Sequence, residues 1–442
     1  MTQSCEVSRR PESITIEPVS AASGTVRLPG SKSISNRALF LAAMAQGKTT
    51  LTGLLRADDT ERMIEALQAL GIEVAFEADT RVTVTGCGGR IPVKSGELFI
   101  GNAGTAARTL TALLAFAGGG TYRLDGIARM RERPIGDLLE ALRSLGAKVT
   151  CEANDGFLPL RFEPARCEGN RVSVRGNVSS QYLTALLMLA PSVASDEGFW
   201  IDIEGELISR PYVAMTVRMM RDFGIEAKET STGFWVPRGT YRAQSSYKVE
   251  ADASAASYFL ALGALTGGPV TITGVGKDSM QGDVAFADAL ETMGAVVEKT
   301  DDSITVRRDK KQPLKGLRLD CTAIPDAAMT FVPMALMTQG AVQLTGIGSW
   351  RVKETDRLAA MACEMRKFGA VVQEGPDFIV VSRSEEGMLK NATVDTYDDH
   401  RMAMSLALAA CAGVTVTVND PGCTAKTYPD YFEAFGRLTA HR

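Results

Sequence analysis

LGIEV, residues 70–74, reads as the end of an amphipathic helix, a glycine and the start of a strand. The same passage returns as LGAKV (145–149), FGIEA (223–227), MGAVV (293–297), FGAVV (368–372) and FGRL (435–438). Its glycines, Gly71, Gly146, Gly224, Gly294, Gly369 and Gly436, stand 67 to 78 residues apart. A glycine just past the last helical residue is the common left-handed cap. Six copies at nearly even spacing form an internal repeat, and a repeat dictates architecture.

Each unit also carries a helix that is apolar almost all round. These are NRALFLAAMAQG (36–47), AARTLTALLAFAGG (106–119), QYLTALLMLAPS (181–192), AASYFLALGALTGG (255–268), AAMTFVPMALMTQG (327–340) and HRMAMSLALAACAG (400–413). A helix without a polar face is buried on every side. A short strand rich in β-branched residues follows each one, from TTLTGLL (49–55) to VTVTVND (414–420). The unit therefore reads strand, buried helix, strand, surface helix, strand or strand pair, an α/β arrangement with helices packed on sheets. Six units exceed one core, so two lobes of three repeats are expected. The natural break is the polar stretch TYRAQSSYKVEADAS, 240–254.

Bulk properties narrow the function. The 442 residues carry a net charge of −4, unlike the basic surplus of a nucleic-acid binder. Eight cysteines are scattered without C-x-x-C spacing, the usage of reduced structural thiols in a cytosolic protein. Two histidines, His400 and His441, are too few for a histidine-based zinc site. The opening MTQSCEVSRRPESIT lacks the apolar core of a secretory signal. LALAACAGVTVTV (406–418) is too short to span a bilayer. A soluble protein is expected.

Unusual polar residues gather just ahead of the buried helices. LPGSKSISNRA (28–38) supplies Lys32, Ser33 and Arg37; GNAGTAAR (101–108) supplies Asn102, Gly104, Thr105 and Arg108. NVSSQ (177–181) contributes Ser179, Ser180 and Gln181, IPDAAM (324–329) Asp326, and YDDHRMAM (397–404) Asp399, His400 and Arg401. A second set precedes the surface helices: ADDTER with Asp59, RMRERP with Arg129, Arg131 and Arg133, and ISRPY with Ser209 and Tyr212. SMQGD, WRVKETDR with Lys353, Glu354 and Arg357, and CTAKTYPD with Lys426 complete it.

GSKS looks like the tail of a P-loop, but the residue five before Lys32 is Arg27, where that motif needs glycine. Cations at the positive end of a helix are unfavourable unless an anion joins them. Their recurrence at matching ends of different units describes a cleft for more than one anionic group. Arginine suits bidentate capture of phosphate and carboxylate, and lysine is a mobile point charge. Asp326, Glu354, Asp399 and His400 are the candidate proton carriers; a carboxylate among arginines stays ionised and ready to accept a proton. The pattern points to acid–base work on an anionic substrate pair, without metal.

LPGSKSISNRA, GNAGTAAR, RMRERPIG, SSQYLTALL, IPDAAMT, RVKETDRL, DHRMAM and CTAKTYPDYF together resemble the 5-enolpyruvylshikimate-3-phosphate synthases of the enolpyruvyl transferase family. The resemblance runs from about residue 14 to about residue 437. It implies an inside-out α/β barrel of two lobes, each three βαβαββ repeats, that closes on substrate. It also implies two crossovers, with residues 1–30 joining 253–442 in a C-terminal lobe and 31–252 forming the N-terminal lobe.

The implied reaction moves the enolpyruvyl group of phosphoenolpyruvate to the 5-hydroxyl of shikimate 3-phosphate and releases phosphate. It proceeds through a tetrahedral intermediate and belongs to the shikimate pathway of aromatic amino-acid biosynthesis. On this chain, Lys32, Ser33, Arg37, Ser179, Ser180, Gln181, Ser209, Tyr212, Asp326 and Lys353 would hold shikimate 3-phosphate. Lys32, Gly104, Arg129, Gln181, Arg357, Arg401 and Lys426 would surround phosphoenolpyruvate or the inhibitor glyphosate. Asp326, Glu354 and Lys32 would be catalytic, with Asp59, Asn102, Thr105, Asp399 and His400 nearby. A cytoplasmic monomer with no cofactor and no membrane or nucleic-acid partner is implied.

Two positions depart from the family pattern. Thr109 stands where proline is usual; proline stiffens the helix start behind Gly104, so its loss implies weaker glyphosate binding with phosphoenolpyruvate use retained. Ser349 stands where asparagine is frequent, which implies a shorter reach to substrate. The alternative is the related transferase acting on UDP-N-acetylglucosamine, which carries a reactive cysteine on a loop of the second unit. Here that loop, DGIARMRERPIG (125–136), has none. Retention of Lys32, Asp326, Glu354 and Arg401 argues against an inactive anion-binding scaffold.

Overall fold

A computed structural model describes residues 11–116, 120–384 and 387–441. In the first unit, Lys32–Met44 (α1) buries every side chain but Ser33, and Asp58–Ala69 (α2) is the amphipathic companion. Gly104–Ala115 (α3), buried throughout, is followed by the amphipathic Gly136–Ser144 (α4). Ser180–Val193 (α5) and Arg210–Asp222 (α6) repeat the pair. In the second half the pairs are Ala253–Thr266 (α7) with Ala285–Thr292 (α8), then Phe331–Met334 (α9) with Arg357–Lys367 (α10). His400–Leu406 (α11) and Tyr431–Leu438 (α12) make the last.

The sheets are separate, and none closes into a barrel among the described residues. Four of them begin with a parallel pair joined over a buried segment: Ser95–Phe99 beside Thr121–Asp125, and Arg171–Arg175 beside Phe199–Glu204. Leu314–Asp320 beside Thr338–Thr345, and Ala392–Val394 beside Val416–Asn419, follow the same plan. Parallel neighbours need a crossover, and the apolar segment supplies it.

Units one and four exchange partners. Tyr247–Lys248 pairs in parallel with Leu51 and Thr52, while Gly24–Arg27 pairs in parallel with Val270–Thr273. The strand leading into α1 thus lies in the sheet of unit four, and the strand leading into α7 lies in the sheet of unit one. Between them the chain passes twice side by side: Ser31 N donates to the Glu250 carbonyl (2.8 Å) and Asp252 N to the Pro29 carbonyl (2.9 Å). Gly30 is required there, because a Cβ would lie 2.1 Å from the Gly53 carbonyl oxygen.

Buried apolar side chains form two cores, one drawn from Ile34 to Val249 and the other from Ile16–Leu28 together with Ala251–Leu438. Residues 1–10, included in the sequence-based boundary of the C-terminal lobe, lie outside the described residues, as do 117–119 at the end of the second apolar run.

Some expectations fail locally. The fifth apolar run is not one helix: Ala327–Thr330 and Ala335–Met337 are 3-10 turns flanking α9, and Thr338-Gln339-Gly340 already belong to a strand. Pro333 has no N–H to donate into a continuous α ladder. Likewise Gln46 and Gly47 open strand Gln46–Thr52 instead of extending α1. The sixth glycine is also different. Gly71, Gly146, Gly224, Gly294 and Gly369 all have φ between +83° and +105°, but Gly436 lies inside α12.

That contrast is testable by urea unfolding. At Gly294 (φ +105°) a Cβ meets nothing closer than 3.9 Å, so Gly294→Ala should cost about 1–2 kcal/mol through backbone strain alone. Gly436→Ala, with nothing within 4 Å, should be neutral or stabilising by up to about 1 kcal/mol.

Candidate active site

Buried segments from both cores point their first residues at one space. Ser31 caps α1 by accepting from Ile34 N (3.4 Å), which leaves Lys32 and Ser33 on the open first turn. Ser179 caps α5 by accepting from Gln181 N (3.3 Å). Asp252 caps α7 and also accepts from Lys32 N (3.2 Å), so it couples the starts of α1 and α7. Between these ends lies a cavity of about 60 Å3. It is lined by Lys32, Ser33, Arg37, Thr105, Arg108, Arg133, Ser179, Ser180, Gln181, Ser209, Tyr212, Asp326, Ser349, Lys353 and Glu354.

The two walls differ in charge balance. On the first, Arg37 donates to Thr216 Oγ1 (2.8 Å), Thr184 Oγ1 (3.2 Å) and the Ser33 carbonyl (2.9 Å). Arg108 donates to the Pro134 carbonyl (2.6 Å), and Arg133 to the Asn102 carbonyl (3.1 Å) and Oδ1 (3.0 Å). All three guanidiniums are buried, with neutral oxygens as partners. Burial lowers the Arg37 and Arg108 pKa values to about 10. Buried cations without carboxylates are costly unless an anion completes them.

On the second wall charges are paired. Arg357, 1 % exposed, donates from Nε to Asp399 (2.7 Å), from Nη1 to Asp326 (3.1 Å) and from Nη2 to Glu354 (2.9 Å). Arg401 Nη2 reaches the other Asp326 oxygen (3.0 Å), and Lys353 Nζ lies 3.7 Å from Asp326. Burial alone would raise the Asp326 carboxyl, but Arg401, Lys353, Arg357 and Lys32 outweigh it and hold it well below the carboxylate range. Glu354 is likewise raised by burial and lowered further by Arg357, Arg133, Lys426 and Lys32. Both stand ionised and able to accept a proton. Trp350, fully buried, donates from Nε1 to the Pro325 carbonyl (2.6 Å) and fixes the turn that presents Asp326.

Contacts also cross from one core to the other. Arg129 donates to the carbonyls of Glu354 (3.0 Å) and Lys353 (2.9 Å). Lys426 Nζ donates to Asp59 (2.8 Å) and to the Asn102 carbonyl (2.9 Å), with Lys32 Nζ 3.6 Å from the same aspartate. Motifs of units one, two, three and five thus line one hollow, and those of unit six pack behind or beside it.

The family model described as EPSP synthase (3-phosphoshikimate 1-carboxyvinyltransferase) matches residues 16–435. The chain belongs to the EPSP synthase family. A 3-phosphoshikimate 1-carboxyvinyltransferase of Paraburkholderia phymatum is 53% identical over 434 residues, 97% of this chain and 99% of that protein. One of Paraburkholderia phytofirmans is 52% identical over 433 residues, again 97% and 99%. The solved EPSP synthase of Acinetobacter baumannii superposes with a TM-score of 0.78 at 24% identity, covering 97% of this chain and 98% of that one. The fold is therefore that of EPSP synthases, the α/β class expected from the repeats.

Within this EPSP synthase family member, not every expected residue faces the cavity. Arg357, Arg401, Asp399 and His400 stand behind its wall, and Gly104 lies beneath Arg133, where a Cβ would come within 2.5 Å of Nη2. Two proton-carrier candidates are corrected. Asp399 is fully buried and committed, accepting from Arg357 and from Arg401 N (2.9 Å) as the cap of α11. His400 is fully buried with neither ring nitrogen hydrogen-bonded. Burial, then Lys32 and Arg401, push its pKa well below the usual value, so it stays neutral.

Sequence alone assigns Arg133 no role of its own, because three arginines in the six residues of RMRERP give no clue to direction. Arg129 crosses the cleft, Arg131 turns outward to Asp125 (2.6 Å), and only Arg133 lines the hollow. Tyr397 and Asp398, both left-handed at φ +55° and +54°, bend the chain into Asp399. Buried Glu364 of α10 holds that bend by accepting from Tyr397 Oη (2.7 Å) and Asp395 N (3.1 Å). No local signal marks such a loop.

His400 gives a pH signature with a fixed sign. A histidine whose folded pKa is depressed stabilises the fold above its unfolded pKa, about 6.5, and loses that contribution as pH falls. Wild-type stability minus that of His400→Gln, measured by urea unfolding, should therefore fall by about 1.4 kcal/mol per pH unit between about pH 6.5 and 5.

Proposed function

We propose that this chain transfers the enolpyruvyl group of phosphoenolpyruvate to the 5-hydroxyl of shikimate 3-phosphate, releasing phosphate. The observation that carries the reading is the pairing of two walls: buried, unmatched Arg37, Arg108 and Arg133 facing the ionised carboxylates Asp326 and Glu354. The unmatched cations suit a phosphorylated, carboxylated sugar acid; the acids suit proton transfer.

Asp326 takes the proton of the 5-hydroxyl as that oxygen attacks C2 of phosphoenolpyruvate, while the methylene carbon takes its proton from the Lys32 ammonium, since Glu354 stands ionised. The tetrahedral adduct then loses a methyl proton to the same group and phosphate from C2, which restores the double bond. Ser33, Arg37, Ser179, Ser180, Gln181, Ser209, Tyr212 and Lys353 hold the shikimate 3-phosphate. Gly104, Arg129, Arg357, Arg401 and Lys426, with Lys32, stabilise the carboxylate and departing phosphate. In the free protein Arg129 and Lys426 rest on carbonyls and Asp59; phosphoenolpyruvate displaces those contacts.

The same reading makes the two cores the lobes of a closing cleft, 31–252 and 1–30 with 253–442, hinged at the paired strands. Closure excludes water, the competing nucleophile. The enzyme works as a cytoplasmic monomer; among the described residues no helix is long and apolar enough to cross a membrane, and the described cysteines are free thiols.

Phosphate release from phosphoenolpyruvate should require shikimate 3-phosphate and should not respond to UDP-N-acetylglucosamine. Release with the sugar nucleotide alone would overturn the reading, and the cysteine-free 125–136 loop speaks against it. Asp326→Ala should bind both ligands and lower kcat by about 10²–10⁴.

Thr109 governs inhibitor response. Its hydroxyl, fully buried, bonds back to the Thr105 carbonyl (3.0 Å), which ties the turn beginning at Gly104 to a threonine instead of a rigid ring. In parallel assays, Thr109→Pro should lower the glyphosate inhibition constant by about tenfold, about 1.4 kcal/mol, with the KM for phosphoenolpyruvate little changed.

A further inference from the structure

SMQGD, 279–283, is the polar stretch ahead of a surface helix that the reaction leaves unused. It is built into the junction between the cores. Ser279 Oγ and Gln281 Nε2 donate to Glu250 (2.6 and 3.1 Å), and Gln281 Oε1 accepts from Ala253 N at the start of α7 (3.1 Å). Gly282 lets this segment press on the start of α6, since a Cβ there would lie 2.4 Å from Pro211 Cβ. The segment ends in Asp283, a carboxylate only 3% exposed.

Asp283 joins three elements. Tyr212 Oη, from the first core, donates to Oδ2 (2.7 Å); Ser254 Oγ of α7 donates to the same oxygen (2.8 Å). Ala327 N, the amide directly after Asp326, lies 3.3 Å from Oδ1 and donates to it. A buried acid in this position touches no cavity surface, yet it holds a residue of each wall. The charged and titratable groups facing it are Tyr212 on α6, Asp326 on its turn and Arg401 on α11.

We propose that Asp283 is a positioning residue: it ties Tyr212 of one half to the Asp326 turn of the other, and its negative charge keeps Asp326 basic enough to take the hydroxyl proton. The inference rests on Asp326 being that base. Four cations, Arg401, Lys353, Arg357 and Lys32, weaken Asp326 as a base; a like charge just behind it works in the opposite sense. Burial and the Asp326 charge raise the Asp283 pKa to about 6, and the Tyr212 hydrogen bond lowers it. Protonation of Asp283 on mild acidification therefore removes the assisting charge.

The test is the pH dependence of kcat, followed by phosphate release with shikimate 3-phosphate and phosphoenolpyruvate. Asp283→Asn keeps the shape and an acceptor for Tyr212 but not the charge. It should lower kcat about tenfold, leave the KM for shikimate 3-phosphate within about twofold, and move the acid limb to lower pH. Tyr212→Phe removes the hydrogen bond that stabilises the Asp283 anion, so it should move the same limb to higher pH while raising that KM. It serves alone if Asp283→Asn does not fold. Opposite shifts support the proposal. An Asp283→Asn enzyme with wild-type kcat and profile, even if it melts lower, overturns it, as does a Tyr212→Phe limb that stays in place. With Asp326→Asn as the control, full activity in that variant sinks the base assignment and the inference together; a slow control beside an unaffected Asp283→Asn sinks the inference alone.

Discussion

Arg357 carries one charge and faces three carboxylates, the partly exposed Asp326 and the buried Asp399 and Glu354, at 3.1, 2.7 and 2.9 Å. The arrangement of the second wall follows from satisfying that geometry. A guanidinium presents five donors in a rigid plane, so its three acceptors must arrive from fixed directions. They come from the turn at 326, the first turn of α10's own approach and the cap of α11. Losing Arg357 would strand buried Asp399 and Glu354 as uncompensated charges, at a cost of about 3–5 kcal/mol. The wall is therefore rigid before any substrate arrives, which suits groups that must be ionised and aimed.

The opposite wall is built on another principle. Arg37, Arg108 and Arg133 are oriented by hydroxyls and carbonyls, which fix direction without cancelling charge. Their positive field stays available. Where the walls meet, Lys426 and Arg129 are held by oxygens of the other core. An anion arriving there would have to compete with these contacts.

Much of this was legible in the sequence because the repeat encodes it. Buried helices were visible as apolar runs, and the residues at their starts as interruptions of those runs; Lys32, Gln181 and Asp326 all line the hollow. What stayed hidden depends on directions that spacing does not encode. RMRERP places Arg129 and Arg131 on a 3-10 turn and Arg133 at its C-terminal cap, so their side chains leave in different directions and spacing does not tell Arg133 from Arg131. His400 looked like a proton carrier because its neighbours are ionic. Burial with both nitrogens unpartnered, a fact of three-dimensional packing, removes it from that role. Gly436 shows the limit of repeat logic: the sixth helix runs through its glycine because the strand beyond it pairs with Val19–Ala22 instead of returning to its own sheet.

The two halves are built from the same unit three times over, yet both carboxylates that line the hollow, Asp326 and Glu354, fall on one of them. In the first half α1, α3 and α5 are regular helices of 12 to 14 residues, and their starts offer serines, amides and a dipole, good for holding anions. In the second half α7 is still a helix of 14 residues, but the other two corresponding segments are broken. Pro333 interrupts the fifth, and α11 passes into a 3-10 stretch, Ala407–Ala412, after seven residues. Short helices sum to weaker dipoles, and the loops that feed them, with two consecutive left-handed residues before Asp399, place side-chain charges where a long helix would place backbone N–H groups. A carboxylate set at the start of a long helix would be stabilised as an anion and made a poorer base. Set on a broken segment, Asp326 takes its basicity from the side chains around it rather than from a helix end.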